Sequence, residues 1–340
     1  MFIFSPFHID LGIDLGTANT IIYAKKRGFI CNQASYIALD QEDNTVALGN
    51  SAKEMMGKTP VSIKVVRPLV DGVISDFEAG DAFIKGFIKQ AKISKIRIGR
   101  VVMGVPTQAS EVEKRAMIES AILAGAKIVH LIAEPMAAAI GLNQDVMGES
   151  ANMIVDIGGG TTDIAVINYG GIVVDNTIRI AGDDLDKAIA SYINRRYKVK
   201  LGLVTAEKLK TKFINLSETN NSDVFTFKSI DSIKGRVKKL EFPVEIFNEA
   251  IKEVIDGIIN AILHVLEILP AELSSDIFNC GITLTGGGSQ LPGLYSMIEK
   301  EAGVIVHVAG NPLFSVAEGI KKVLHDFKYY NKIIIQSSRF

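Results

Sequence analysis

Two glycine-rich turns hold the residues best suited to chemistry. Ile13-Asp14-Leu15-Gly16-Thr17-Ala18-Asn19-Thr20 runs into the β-rich Ile21 to Ala24. Much later, Val155-Asp156-Ile157-Gly158-Gly159-Gly160-Thr161-Thr162-Asp163 runs into Ile164 to Ile167. Each copy reads as strand, tight Gly/Thr turn, strand. Such a turn exposes successive backbone N–H groups on one side, and glycine lets an anion approach with no Cβ in the way. Two of these turns opposed across a cleft would grip a polyphosphate from both sides, through Gly16, Thr17, Ala18 and Asn19 on one and Gly158, Gly159, Gly160 and Thr161 on the other. The acid ahead of each turn, Asp14 or Asp156, would then face the Mg2+ that accompanies such phosphates. Magnesium keeps most of its waters, so two aspartates acting through water suffice.

A third cluster, Gly286-Gly287-Gly288-Ser289, follows the strand-like Ile282 to Thr285 and precedes a helix opened near Pro292. An open helix N-terminus favours anions, and bare glycines admit a flat ring, so this cluster suits the nucleoside side of a ligand. Neither hairpin turn is a Walker A loop, since Gly-Lys-Ser/Thr is missing and the turn leads into a strand; the dinucleotide fingerprint fails for the same reason. A lone turn of this kind usually just closes a hairpin. Two copies with acids, hydroxyls and glycines in register argue against that here and suggest two similar lobes facing each other.

The rest of the chain must hold these loops in place. Its 340 residues suit two lobes with a cleft between them, and 48 % hydrophobic with 22 % charged residues describes a packed globular protein. A net charge of -1 gives no electrostatic pull toward nucleic acid. Cys31 and Cys280 do not make a disulfide framework, which points to a reducing cytosol. No apolar run reaches the roughly 18 residues of a spanning helix, and Met1 to Phe7 lacks the features of a signal peptide. Short β-rich runs alternate with helical ones, the pattern of α/β layers. Arg100 to Val105 and Ile128 to Ile132 read as strands. Ser110-Glu111-Val112-Glu113 is a capping-box start for a helix, Pro135 opens a small-residue helix through Ala139, and Pro243 to about Leu269 has apolar residues at helical spacing. Ser217 to Asp223 reads as a surface loop and Lys234 to Lys239 as a solvated basic run.

With these motifs in hand, the sequence resembles the actin, Hsp70 and sugar-kinase ATPase superfamily, and within it the MreB family of bacterial actins. The matching stretches are residues 14–20, 67–76, 134–141, 156–162 and 284–288, continued by Asn311-Pro312 and Val316-Ala317, and the resemblance spans roughly residues 9–324. It implies an α/β, actin-like ATPase fold: two ribonuclease-H-like lobes around a nucleotide cleft, each with a small appendage. The expected division is 1–32, 73–142 and 318–340 for subdomain IA, 33–72 for IB, 143–180 and 243–317 for IIA, and 181–242 for IIB. It also implies ATP/ADP with Mg2+ as ligands and slow hydrolysis coupled to polymerisation. Glu207 and Lys210 match the helical segment that contacts adenosine in the family. Glu134, ending a strand before Pro135, is the group expected to orient the attacking water. Thr161 would hydrogen-bond that water or pass on its proton. Ala133 stands where the family commonly has a second Glu, and Asp163 where Glu is usual; both departures bear on hydrolysis rate rather than on ATP binding.

The implied role is a cytoskeletal filament subunit for cell shape or shape-linked movement, its partners being further copies of itself in protofilaments and other cytoskeletal or membrane proteins. The family also binds the inner face of the cell membrane from the cytoplasm, an anionic surface. Candidate contacts here are Phe2, Ile3, Phe4 and Phe7, the segment Phe83 to Lys89, and the tail His325 to Phe340 with Lys328, Lys332 and Arg339. The tail reads equally as an edge strand or a disordered terminus. A sugar-type kinase of the same superfamily is the alternative, but no spare acid stands where a substrate base is needed.

Overall fold

The computed structural model describes residues 8–217, 224–230 and 237–339. Two large sheets organise it. The sheet of lobe I has the strand order Gln336–Arg339, Ile128–Ala133, Ile98–Val105, Ile9–Leu15, Asn19–Ala24, Gly28–Ala34. That of lobe II runs Gly171–Ile178, Thr162–Asn168, Asn152–Ile157, Ile282–Thr285, Val306–Val308. In each, three consecutive strands form an antiparallel meander, and the first of them pairs in parallel with a strand much later in the chain. The weak internal repeat is therefore a repeat of topology, and each glycine turn joins the first two strands of its meander.

Helices cover these sheets, so the central strands are buried on both faces and read as continuous apolar runs rather than alternating ones. Ile154, Val155 and Ile157, for example, are all fully buried. Helix Glu111–Leu123 begins with the expected capping box, Ser110 N–H donating to Glu113 Oε2 at 2.7 Å and Glu113 N–H to Ser110 Oγ at 3.3 Å. Helix Glu245–Glu267 buries Ile251, Ile255, Ile258 and Ile262 in the core of lobe II. Between the lobes, helices Glu134–Gly141 and Ser315–His325 share one apolar cluster with Ile154, Ala165 and Ile167. They cross so closely that a Cβ on Gly319 would lie 1.7 Å from the Ala137 carbonyl oxygen.

Each lobe carries a smaller appendage. On lobe I it is the sheet of Ile37–Leu39, Thr45–Leu48 and Lys64–Val66 with helix Asn50–Met55. On lobe II it is the ribbon Val224–Ile230 with Val237–Pro243, together with helices Gly182–Tyr197 and Leu203–Phe213. Three expected boundaries cut through elements: residues 32 and 33 lie inside strand Gly28–Ala34, 242 and 243 inside strand Val237–Pro243, and 317 and 318 inside helix Ser315–His325.

The membrane candidates also change. Phe83, Ile84, Phe87 and Ile88 are the buried face of helix Phe77–Gln90, which is core. Phe2 to Phe7 lie outside the described residues, as do residues 218–223 of the expected surface loop and 234–236 of the basic run. The tail is structured: Ile333 is buried, and Gln336–Arg339 pairs antiparallel with Ile128–Ala133 as an edge strand. Among the described residues no helix is long and apolar enough to cross a membrane.

Candidate functional site

A cavity of about 500 Å3 opens between the lobes. The first turn is fixed from beneath: Ser35 Oγ donates to the Gly16 carbonyl at 2.6 Å and Ser35 N–H to the Ala18 carbonyl at 2.9 Å. The second closes on itself, Gly158 N–H donating to the Thr161 carbonyl at 2.9 Å. The two turns meet. A Cβ on Gly159 would stand 2.8 Å from the Ala18 Cβ, and one on Gly160 would stand 2.8 Å from Thr17 Oγ1 and 2.9 Å from the Asp71 nitrogen. Glycine is required at both positions because the backbones of the two lobes touch there.

Asp14, Gly16, Thr17, Ala18 and Asn19 from lobe I line the cavity opposite Asp156, Gly158, Gly159 and Thr161 from lobe II. Glu134, Glu207, Lys210, Gly286, Gly287 and Gly288 complete most of the expected set. Two expected residues are placed differently. Gly160 forms the loop-to-loop contact rather than the cavity wall. Ser289 is buried with its hydroxyl turned back on the Gly286 carbonyl at 2.7 Å, so it shapes its own turn and does not face a ligand. Gly286 has φ +78, and a Cβ there would fall 2.2 Å from Asp156 Oδ1, so the third glycine cluster packs directly on the carboxylate of the second loop.

Four acids crowd the floor. Burial pushes Asp14 up to about 7, and burial, then Asp163 and Asp14, push Asp156 up to about 8. Burial raises Glu134 well above the ordinary carboxylate range, helped by the charges of Asp163, Asp14 and Asp156. Burial raises Asp163 too, although it accepts hydrogen bonds from Thr177 Oγ1 at 2.7 Å, from the Thr107 N–H at 3.3 Å and from the Thr161 side chain. Glu134 Oε1 is buried with no hydrogen-bond partner. Such a cluster lacks a positive charge, and a hydrated divalent cation beside Asp14 and Asp156 would supply one. Among the described residues no three His, Cys, Asp or Glu side chains converge as a metal-ligand group.

Several wall residues carried no role in the sequence reading. The Asp71-Gly72 turn, with φ +51 and +76, inserts beside the loops, and Gly72 N–H donates to Thr17 Oγ1 at 2.6 Å. Its dipeptide is an ordinary turn signal, which could have marked it. Ion pairs between the lobes were not legible at all. Lys53 of the lobe I appendage reaches Glu207 at 2.6 Å, and Arg67 reaches Asp183 at 2.8 Å while donating to the Thr17 carbonyl at 2.9 Å. Glu207 and Lys210 do not pair with each other: Lys210 holds Asp186 at 2.9 Å and the Gly182 carbonyl at 2.7 Å. Burial nonetheless pushes Asp186 up to about 7, outweighing that lysine.

Comparison with known proteins gives a consistent result. The profile described as MreB/Mbl protein matches residues 8–332. The cell shape-determining protein Mbl of Bacillus subtilis is 41 % identical over 315 residues, covering 92 % of this chain and 95 % of Mbl. The cell shape-determining protein MreB of Escherichia coli K12 is 40 % identical over 325 residues, covering 94 % of each. Among solved structures, MreB5 of Spiroplasma citri bound to AMPPNP superposes with a TM-score of 0.90 at 31 % identity, covering 96 % of this chain and 98 % of that one. The same protein has also been solved bound to ADP. A MamK double helical filament shares the fold with a TM-score of 0.78 at 23 % identity, covering 94 % of this chain and 99 % of that one.

Proposed function

The chain belongs to the MreB/Mbl family of filament-forming bacterial actins, and on that premise we propose that it binds ATP with Mg2+ between its lobes and hydrolyses it slowly in step with polymerisation. The observation that carries this reading is the meeting of two glycine turns, one per lobe, over a floor of buried carboxylates. Gly16, Thr17, Ala18 and Asn19 hold the phosphates from one side, and Gly158, Gly159 and Thr161 from the other, with Gly160 joining the two loops. Gly286, Gly287 and Gly288 lie against the nucleoside, with Lys210 and Glu207 beside it. Asp14 and Asp156 would hold Mg2+ through water, which would supply positive charge beside the phosphate oxygens.

Glu134 orients the attacking water. Its side chain lines the cavity from the start of helix Glu134–Gly141, and its buried Oε1 has no hydrogen-bond partner, so the carboxyl group keeps an acceptor for a water. Thr161 adds a hydroxyl to the same cavity wall, itself held by Asp163. Phosphoryl transfer needs mainly positioning and charge stabilisation, which this arrangement supplies. Filaments of this chain, built from copies of itself, would lie in the cytoplasm along the anionic inner face of the membrane, where other cytoskeletal or membrane proteins meet them. The subdomain boundaries are placed at element ends, with IA resuming at Ser315 rather than at residue 318, strand Gly28–Ala34 kept whole in IA and strand Val237–Pro243 kept whole in IIB. The match to cell shape-determining proteins over nearly the whole chain disfavours a sugar-type kinase.

The test is Glu134→Ala. Phosphate release should fall at least a hundredfold, while calorimetry with Mg2+ and ATP still registers binding. Unchanged release would clear Glu134 of its role, and no heat with the unaltered protein would remove the nucleotide reading altogether.

A further inference from the structure

A second crevice lies on lobe I, outside the nucleotide cleft, where helix Ser315–His325 ends and the short helix Phe327–Tyr330 begins. It measures about 510 Å3 and is walled by Lys25, Arg100, His325, Asp326, Phe327 and Lys328 among others. We propose that this crevice binds the phosphate group of a phosphomonoester or phosphodiester.

The polar groups around it are mostly committed except for the cations. Arg100 lies over the Phe327 ring at 3.8 Å from its centroid, which braces the planar guanidinium by its face and leaves its N–H edges for an acceptor. Its Nε is buried and has no hydrogen-bond partner. The neighbouring Asp10 uses Oδ1 to accept the backbone N–H of Arg100 at 2.9 Å. Lys25 Nζ donates once, to the Leu324 carbonyl at 2.8 Å, so an ammonium with three donors keeps two. His325 Nε2 is bonded to Tyr23 Oη at 2.8 Å. The one wall carboxylate, Asp326, caps the following helix by accepting Tyr329 N–H at 3.3 Å. Arg100 and Lys25, both held in place, and Lys328 on the exposed rim thus surround a space whose one wall carboxylate already caps a helix. A buried guanidinium donor without a partner is costly, and a tetrahedral oxyanion satisfies donors converging from separate directions. The volume leaves room for the organic group that carries the phosphate.

The protein has five histidines, and His325 alone lines this crevice, while His264 and His307 sit in lobe II. They make an internal reporter. Protein loaded with one equivalent of ADP and 15N-labelled at histidine is titrated with glycerol phosphate, and with glycerol as the uncharged control. The His325 ring signal should shift saturably with glycerol phosphate only, with His264 and His307 still. Arg100→Gln should weaken the titration at least tenfold and Lys328→Gln, on the exposed rim, several-fold; Lys252→Gln in lobe II should leave it unchanged. A His325 signal that does not move, that moves equally with glycerol, or that titrates alike in both crevice variants overturns the site. Because Lys328 is exposed, a folding failure of Arg100→Gln leaves the second variant to decide.

Vesicles distinguish the source of the phosphate. If pelleting with phosphatidylglycerol vesicles drops at least threefold in Lys328→Gln but not in Lys252→Gln, the group is a lipid headgroup. If pelleting is equal while glycerol phosphate still shifts His325, the natural ligand is a free phosphate ester. Nucleotide binding in the other cleft is unaffected in either case, so failure here leaves the ATP reading standing.

Discussion

Removing Lys53 should speed the release of nucleotide, because that lysine helps hold the cleft shut. Its ammonium lies 2.6 and 2.8 Å from the two Glu207 oxygens, linking the lobe I appendage to a helix of lobe II, with the side chains 25 % and 33 % exposed. A second tie, Arg67 to Asp183, is 2.8 Å long with 23 % and 22 % exposure and is backed by the bond from Arg67 to the Thr17 carbonyl. Both pairs bridge the lobes, so opening the cleft between them requires the pairs to part. Gross attraction at such a separation is about 6 kcal/mol at an effective dielectric of about 20, but desolvation and side-chain entropy reduce a partly exposed pair to about 1 kcal/mol. If that whole amount is lost from the closed ground state, Lys53→Ala raises the dissociation rate about fivefold. Arg67→Ala should do somewhat more, since it also frees the first phosphate loop. Stopped-flow release of a fluorescent ADP in low salt measures this, and near 1 M salt, where the Debye length is about 3 Å, the difference should shrink. A Lys53→Ala, Glu207→Gln double-mutant cycle isolates the pair from any direct contact of Glu207 with nucleotide. Equal release rates for wild type and Lys53→Ala in low salt would refute the reasoning, as would a cycle with no coupling.

Two further outcomes follow from the packing and the buried acids. Asp14 and Asp156 are held at about 7 and about 8, above the values the unfolded chain restores, so their contribution to stability is complete below about pH 4 and is lost as pH rises through 7 to 8. In scanning calorimetry the nucleotide-free protein should melt lower at pH 8.5 than at pH 6, with Mg-ADP narrowing the gap; equal ligand-free melting points would contradict this. Gly319→Ala would drive a Cβ to 1.7 Å from the Ala137 carbonyl oxygen, a clash with backbone that only separation of two helices relieves, costing about 3 kcal/mol or more. Gly310→Ala, with nothing within 4 Å, is the matched control, and thermal melts that leave the two variants indistinguishable would reject the packing argument.

Local signals made much of the fold and the site readable. The two turns were visible because acid, glycine and hydroxyl sit within a few residues of one another, and their duplication implied opposed lobes. The capping box at Ser110 and the spacing of Ile251, Ile255, Ile258 and Ile262 identified their helices for the same reason. What escaped was long-range. Lys53 and Glu207 are 154 residues apart, and nothing near either names the other. Ser289 shows the opposite failure: a local motif suggested a ligand contact, but a hydroxyl three residues from the Gly286 carbonyl finds that acceptor first. Phe83 to Lys89 stood as a membrane candidate although such spacing more often means core, because amphipathic spacing alone does not say what covers the apolar face. The tail's course depended on an open strand edge at Ile128–Ala133, a feature of the assembled sheet.

The helix Glu134–Gly141 joins the chemistry to the lobe geometry. Its first residue carries the carboxylate assigned to the attacking water, and its last lies so close to the neighbouring helix that a Cβ there would stand 2.0 Å from the Ser315 carbonyl oxygen. Lys322 of that neighbour clamps the far end, donating to the carbonyls of Ile140 and Gly141 at 2.7 Å each. Between its ends, Met136 to Ile140 pack in the apolar cluster that also includes Ile154, Ala165 and Ile167 of lobe II. At 1.5 Å per residue the helix is only about 12 Å long, and a hydrogen-bonded segment that short moves as a rigid body. Any rotation of one lobe against the other must therefore shift this helix relative to at least one sheet, and Glu134 shifts with it. The distance from Glu134 to the two glycine turns thus follows lobe closure, so the hydrolysis proposed above would be sensitive to whatever fixes the lobes, including neighbouring copies in a filament.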